Sequence, residues 1–338
     1  MLIITKIEIK RYRSINDLVI NIDESHNIVT FCGQNNVGKT NILRAIALFF
    51  NKMTFSYKED VPEFKQMTAG NSVYPSIIIE LKDTVKNDFY SIKKDFNPRK
   101  IEENSIKQYF ISGKKNNENI KSETCEDFLN DINIFFLPSI NVSFPETINY
   151  LIDDRFLEIE FGNTKMKGKK KDVKSSLEKA RKILQEILDD LTNSVDPIFK
   201  EFHKDWGIKF IVPKDINRFR EILNEEIDFT LTDNTRTEIR SKGAGLQRLG
   251  HILLNLRIIE KLTSSDEKCI LIIDEPDIYL HSKLQKKLNQ KLKEISQKTQ
   301  TFITTHSPIF IDAYKMRNLF LLELSVTPRI SKRKNREG

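Results

Sequence analysis

The chain has 338 residues, 39% of them hydrophobic, and carries 55 Lys and Arg against 48 Asp and Glu for a net charge of +7. That apolar fraction suffices for a sizeable core and excludes a disordered chain, and no apolar run approaches the roughly 18 residues needed to cross a bilayer. The positive excess favours a polyanion such as nucleic acid without demonstrating one; the three scattered cysteines, Cys32, Cys125 and Cys269, read as buried free thiols in a reducing cytoplasm.

In chain order, residues 1 to 30 alternate as a hairpin, with Ile3, Thr5, Ile7 and Ile9 opposite Leu18, Ile20, Ile22 and Ile28 across a turn at Ser14 to Asp17. The run Asn27 to Cys32 reads as a strand that leads into Gly33-Gln-Asn-Asn-Val-Gly-Lys-Thr40, a complete G-x-x-x-x-G-K-T phosphate loop (Walker A). A helix follows from Lys39 through Ile42, Ala45, Ile46 and Phe49. Gly33 and Gly38 let the backbone curl and aim N–H groups at phosphate oxygens, and the helix N-terminus adds partial positive charge. Lys39 is expected to reach the β- and γ-phosphates and the Thr40 hydroxyl to ligate Mg2+. The candidate nucleotide site is therefore Gly33, Gln34, Asn35, Asn36, Val37, Gly38, Lys39, Thr40 and Asn41.

Next comes a strand at Ser76 to Leu81, then a polar stretch to about Asn133 with weaker strands such as Gln108 to Ile111. Ile134 to Leu137 is a strand bounded by Pro138, and a helix is expected near Glu146 to Ile152. From Asp172 to Phe202 the pattern is helical, with Leu177, Ala180, Ile183, Leu184, Ile187, Leu188 and Leu191 on one face for packing within an αα element or against a second subunit. Strands follow at Ile208 to Val212 and Ile227 to Leu231. The basic runs Lys165 to Lys171 and Arg329 to Arg336 are either a solvated loop and a frayed tail or phosphate-contacting patches. His203 and His251 are lone histidines and read as structural.

Arg240-Ser-Lys-Gly-Ala-Gly-Leu-Gln-Arg-Leu249 opens a helix carried by Leu249, Ile252, Leu253, Leu256 and Ile259. Such a Ser-Gly-rich segment, with Ser241, Gly243, Gly245 and Gln247, is a second phosphate-binding device. It does not easily share one nucleotide with the first, which points to a dimer in which each subunit caps the other's ATP. Lys268-Cys-Ile-Leu-Ile-Ile-Asp-Glu-Pro276 is a buried strand delivering two carboxylates at its end, the Walker B pattern. Asp274 is expected to hold Mg2+ through water opposite Thr40, and Glu275 to polarise the attacking water or take its proton. Thr301-Phe-Ile-Thr-Thr-His306-Ser-Pro308 repeats the design, and the helix Ser282 to Ser296 is the right length for one βαβ crossover that sets it beside the Walker B strand. His306 is then in reach of the γ-phosphate.

These residues together resemble the ABC-type ATPase heads of the RecF, SMC and OLD families: a hairpin with Arg11-Tyr-Arg-Ser14, a Walker A, a signature helix, a Walker B and a switch histidine. The resemblance covers residues 1 to 50 and 235 to 312. The forms Gly-Gln-Asn-Asn-Val-Gly-Lys-Thr, Asp-Glu-Pro-Asp-Ile-Tyr-Leu-His-Ser and Thr-Thr-His-Ser-Pro look most like OLD-type ATPases of nucleases and related antiphage systems. It implies an α/β P-loop NTPase of ABC-ATPase type, with a mixed sheet, an N-terminal β-hairpin and a helical insertion. It also implies Arg13 at the nucleotide, Glu275, Lys39 and His306 as catalytic residues, and Asp277 to His281 as the D-loop across a dimer interface.

Three positions depart from the pattern. The signature reads Ser-Lys-Gly-Ala-Gly-Leu-Gln rather than Leu-Ser-Gly-Gly-Gln, Ser282 stands where a proline is usual, and the residues after 312 are too few for the Toprim nuclease domain that OLD nucleases carry. The expected organisation is 1–90 and 235–325 as the two halves of the head, 91–234 as an insertion, and 326–338 as a basic tail. The expected function is Mg-ATP-driven regulation of a separate nuclease effector on nucleic acid by a cytoplasmic homodimer or higher oligomer, with no membrane partner. A RecF- or SMC-like DNA-maintenance ATPase is the alternative reading. A transporter nucleotide-binding subunit fits less well, because the transporter signature is missing.

Overall fold

The N-terminal alternation forms strands β1 (Leu2–Tyr12) and β2 (Ile15–Asn21), antiparallel with Ile7 opposite Ile20 and Ile9 opposite Leu18. The turn is tighter than the sequence suggests: Tyr12 pairs with Ile15, so only Arg13 and Ser14 reverse the chain. Arg13 takes φ 50°, the left-handed conformation that a two-residue hairpin turn can require at its first position. Ile28 does not join the hairpin. It opens β3 (Ile28–Gly33), which belongs to a different sheet.

The protein is represented by a computed structural model that describes residues 1–62, 74–98, 108–139, 178–186, 189–190, 193, 230–232, 236–238, 244–311 and 316–323. The chain divides into two units, one comprising Met1–Val142 with Leu262–Gly338 and the other Ser143–Lys261. After β3 the first unit contains α1 (Lys39–Phe49), α2 (Tyr57–Asp60), β4 (Ser76–Asp83), β5 (Asp88–Asp95), β6 (Phe110–Lys115), β7 (Glu118–Ile120), α3 (Ser122–Asn130) and β8 (Ile132–Leu137). The second unit contributes the short antiparallel pair β9 (Thr230–Thr232) and β10 (Arg236–Glu238), and all but the last two residues of helix α4 (Ala244–Thr263). The chain then returns to the first unit with β11 (Lys268–Asp274), α5 (Ser282–Ile295), β12 (Gln300–Thr304) and β13 (Leu319–Leu322).

Two sheets build the first unit. One is antiparallel in the order β2-β1-β4-β5-β6-β7; the other is β13-β3-β12-β11-β8, parallel at every pairing. Helix α1 packs against β1 of the first sheet and against β3, β11 and β12 of the second. This explains why α1 buries eight of its eleven residues, with Leu43, Ala47 and Leu48 buried as Ile42, Ile46 and Phe49 are, whereas its sequence marks a single apolar face. Each fully buried Ile or Phe here contributes about 2 kcal/mol. β11 and β12 are covered on both faces and so read as continuous apolar runs.

A buried glutamine joins the sheets. The β1–β4 register slips between Ile4 and Lys6; there the Ile4 N–H donates to Gln300 Oε1 (2.6 Å) and the Ile4 carbonyl accepts from Gln300 Nε2 (2.9 Å). Without that side chain a bulge would leave buried backbone groups unpaired.

Several expectations are revised by the fold. Residues 91 to 139, expected within the insertion, supply β6, β7, α3 and β8 to the first unit; β8 pairs in parallel with β11, Ile134 opposite Ile270. Residues 178–186 are helical as expected, and Ile183 and Leu184 are exposed in this single chain, so of the two expected modes of packing it is not contacts within one chain that cover them. Leu253 of α4 is likewise exposed, while Ile252, Leu256 and Ile259 are buried. The expected helix near Glu146, the strand Ile208 to Val212 and both basic runs lie outside the described residues. Among the described residues, no helix is long and apolar enough to cross a membrane.

Candidate functional site

The phosphate loop runs from the end of β3 to the start of α1. Gly33 has φ 145° and Gly38 φ 95°, backbone that L side chains rarely adopt. A Cβ on Gly33 would also lie 2.5 Å from the carbonyl oxygen of Leu322 in β13. Gly38 is the N-cap of α1; no side chain caps that helix, and its first turn holds no acidic residue. Its first N–H groups and the positive end of its dipole are therefore available to an anion.

Lys39 is buried, and its ammonium folds back on the loop, donating to the carbonyls of Gly33 (3.1 Å) and Gln34 (2.7 Å). It lies 2.9 Å from His306 Nε2. Burial pushes the Lys39 pKa down, opposed by the carboxylates of Glu275 and Asp274. His306 Nε2 is also 3.5 Å from Glu275 Oε1. His306 Nε2 thus stands between the Lys39 ammonium and the Glu275 carboxylate.

Asp274, at the end of β11, is the centre of a buried cluster. Its Oδ1 accepts from Thr40 Oγ1 (3.0 Å) and Thr304 Oγ1 (2.6 Å), and its Oδ2 lies 3.2 Å from the same Thr40 hydroxyl and accepts from Ser139 Oγ (2.9 Å). Thr304 ends β12, so Walker A, Walker B and the switch strand meet on one carboxylate. Thr304 Oγ1 also accepts the Glu275 N–H at 2.9 Å. Glu275 has φ 51°, a left-handed conformation that costs a non-glycine residue about 1–2 kcal/mol. Burial, reinforced by Asp274, raises its pKa above the usual glutamate range.

Beyond this cluster, Thr305 Oγ1 donates to Asp277 Oδ1 (2.6 Å), and Ser307 Oγ donates to Gln285 Oε1 (2.7 Å). Gln285 Nε2 in turn donates to the carbonyls of Asp277 (3.2 Å) and Leu280 (2.8 Å). Helix α5 thereby ties the loop after β11 to the loop after β12.

A cleft of about 440 Å³ opens on the phosphate loop, lined by Ser14, Asn35, Asn36, Gly38, Lys39, Thr40, Asn41 and Glu275. The hairpin turn supplies Ser14, whose Oγ accepts from Asn41 Nδ2 (2.9 Å). Arg13 is not among the lining residues. Its Nε donates to Asp60 Oδ1 (2.7 Å) and its Nη2 to Glu59 Oε2 (3.3 Å), so a phosphate role for it requires that ion pair to open. Ser241 and Gly243 lie outside the described residues; Gly245 and Gln247 sit half-buried at the start of α4, in the second unit. Sequence reasoning missed Ser139 and Thr304, since isolated hydroxyls carry no local signal, and passed over Ser14 for its neighbour Arg13.

The residues present fit a nucleotide and a hard divalent ion. The loop is an uncapped anion cradle, and the Thr40 hydroxyl and Asp274 carboxylate form a paired set of oxygen donors. Among the described residues, no group of three or more His, Cys, Asp and Glu could hold a metal ion by itself. An ion here would complete its shell with phosphate oxygens and water, as Mg2+ does.

The AAA ATPase domain family (AAA_15) matches residues 2–184 and 71–311. The chain belongs to that family. It is similar to the Septu protein PtuA of Bacillus thuringiensis, 23% identical over 345 residues that take in 95% of this chain and 76% of PtuA. It also matches the uncharacterized protein MJECL43 of Methanocaldococcus jannaschii, 32% identical over 106 residues, 31% of this chain and 26% of that protein. Among solved structures, the Smc head bound to the C-winged helix domain of ScpA aligns with TM-score 0.51 and 14% identity, over 95% of this chain and 94% of that one. At that identity the likeness concerns fold alone: this AAA ATPase domain chain has the mixed α/β fold of an ABC-type head.

Proposed function

We propose that the chain binds Mg-ATP along residues 33–41 and hydrolyses it to ADP and phosphate. The observation that carries this reading is the Thr40–Asp274 pair, a hydroxyl 3.0 Å from a carboxylate and 234 positions away in sequence. The N–H groups of the loop and Lys39 bind the phosphates, and Lys39 exchanges its contacts with Gly33 and Gln34 carbonyls for phosphate oxygens. Thr40 and Asp274 would hold the Mg2+, which supplies charge neutralisation on the transferred phosphoryl group.

Glu275 is the general base. A water oxygen forms a bond to the γ-phosphorus while the bond from that phosphorus to ADP breaks, and the water's proton passes to the Glu275 carboxylate. Glu275 lines the cleft that opens on the phosphate loop, where it can take that proton. His306, beside both Lys39 and Glu275, contacts the γ-phosphate and reports its presence.

The chain works as a homodimer, with the Ser241 to Gln247 segment acting on the partner's nucleotide. ATP turnover in that dimer controls a separate nuclease effector on nucleic acid, in a bacterial antiphage setting. The OLD-like forms of the loop, the Walker B turn and Thr-Thr-His-Ser-Pro support this, and the similarity to Septu protein PtuA along 95% of the chain is compatible with it.

The test is steady-state ATP hydrolysis by the purified chain beside Lys39→Ala and Glu275→Gln. Loss of nucleotide binding in the first and retained binding without turnover in the second are expected; full turnover in Glu275→Gln would remove Glu275 as base. Purification of the native complex, with mass spectrometry of its partners and a DNA-cleavage assay, tests the effector. A complex without any nuclease would overturn that part.

A further inference from the structure

Helix α5 connects β11 to β12, and its two sides differ sharply. The inner side buries Leu288, Leu292 and Ile295 and holds the loops of the site through Gln285, with Asn289 Nδ2 donating to the Ile309 carbonyl (2.6 Å). The outer side exposes Lys283, Lys286, Lys287, Lys293 and, just past the helix, Lys298. The one acidic residue in this stretch, Glu294, sits 3.2 Å from Lys291.

This distribution works against the helix itself. Its first turn holds no acidic residue and instead carries Lys283, so cationic charge faces the positive end of the dipole. Lys283 and Lys287, and Lys287 and Lys291, stand four residues apart, where like charges repel. An exposed helix selected only for solubility intersperses acids at those spacings. A bound polyanion would relieve that repulsion.

We propose that the outer face of α5 is a contact surface for the phosphate backbone of nucleic acid, resting on the reading of nucleic acid as this chain's target. The 14-residue helix is about 21 Å long, a length over which a duplex presents on the order of ten phosphates. The exposed side is composed of lysine, glutamine and serine with the single acid Glu294, and Leu288 and Leu292 are buried, so it has nothing to insert into a lipid surface. Backbone contacts of this kind position a duplex without reading its sequence.

The experiment is fluorescence anisotropy of a labelled duplex oligonucleotide against the full chain at salt from about 50 to 200 mM. The triple variant Lys283→Gln, Lys286→Gln, Lys287→Gln and the single variant Lys6→Gln, on the antiparallel sheet, are compared with it. The triple variant is expected to bind at least tenfold more weakly at low salt and to flatten the slope of log affinity against log salt by about three. Lys6→Gln is expected to bind as the parent does. A thermal melt checks that the triple variant is folded; since it removes repulsion, its melting temperature should not fall.

Unchanged duplex binding by the folded triple variant overturns the α5 surface while leaving nucleic acid as the target. No binding of duplex by the parent chain overturns both. Binding of phosphatidylserine vesicles in place of DNA, lost in the triple variant, reassigns the face to a membrane surface and also overturns the proposal.

Discussion

His306 Nε2 lies 2.9 Å from the Lys39 ammonium, one contact between residues 267 positions apart that joins the switch strand's end to the phosphate loop. Lys39 is held there by two loop carbonyls as well, so the loop is closed on its own lysine until phosphate competes for it. Replacing His306 by Ala leaves those carbonyl contacts intact. Nucleotide affinity should therefore change by less than threefold while kcat falls about 100-fold, the size associated with one lost polar contact to a transferred group. Separate measurement of kcat and nucleotide Kd checks this; a large rise in Kd with unchanged kcat would give His306 a purely binding role.

Glu275 makes a pH prediction whose sign follows from its surroundings. A general base must be ionised, and burial together with Asp274 raises the pKa of Glu275. Its ionised fraction is then lost at a higher pH than for an exposed glutamate. In the metal-free chain its carboxyl should titrate above the usual glutamate range, checked by the pH dependence of its carboxyl carbon resonance, which Glu275→Gln removes. In the same variant, ATP should remain bound, and mass measurement should find a dimer with ATP and a lighter species without it. A strict monomer in both conditions would remove the proposed trans arrangement.

Thr304 offers a test of the cluster that sequence reasoning overlooked. Its hydroxyl donates to Asp274 at 2.6 Å and accepts the Glu275 N–H at 2.9 Å, so one side chain sets both carboxylate-bearing residues. Thr304→Val keeps the shape and removes the hydroxyl that donates to the buried Asp274 carboxylate, while the Glu275 N–H keeps its bond to the Thr304 carbonyl (3.1 Å). The expected cost is about 1–3 kcal/mol of stability by urea denaturation, with kcat reduced more than nucleotide affinity. Thr304→Ser, which restores the hydroxyl, should recover most of both.

What could be read from the chain is what local residues decide. The loop, β3, β11, β12 and their crossover helix follow from glycines, apolar runs and terminal carboxylates that sit within a few residues of one another. β8 was visible as an apolar run, but its place beside β11 depends on a pairing across 136 positions, Ile134 with Ile270, which no local pattern encodes. β5 to β7 are hard to read because their sheet has one exposed face and polar residues interrupt the alternation. The family resemblance places Arg13 at the nucleotide; its ion pair with Asp60 and Glu59, close to it only in space, has no signal in the local sequence.

β13 was not anticipated at all, since Leu319 to Leu322 is only four residues long, and it gives the last prediction. It pairs in parallel with β3, and its Leu322 carbonyl oxygen occupies the space where a Cβ on Gly33 would lie, at 2.5 Å. Gly33 also has φ 145°. Gly33→Ala must therefore either push β13 away or re-route the loop, and it should lose nucleotide binding at least 100-fold together with about 2 kcal/mol or more of stability. The obstructing atom belongs to the backbone, so shortening the neighbouring side chain gives no relief: Leu322→Ala combined with Gly33→Ala should bind no better than Gly33→Ala alone. Leu322→Ala by itself should retain nucleotide binding, because the carbonyl it contributes is unchanged. Isothermal titration with ATP across the three variants decides the matter, and recovery of binding in the double variant would show that the side chain, not the strand, sets the position of the loop.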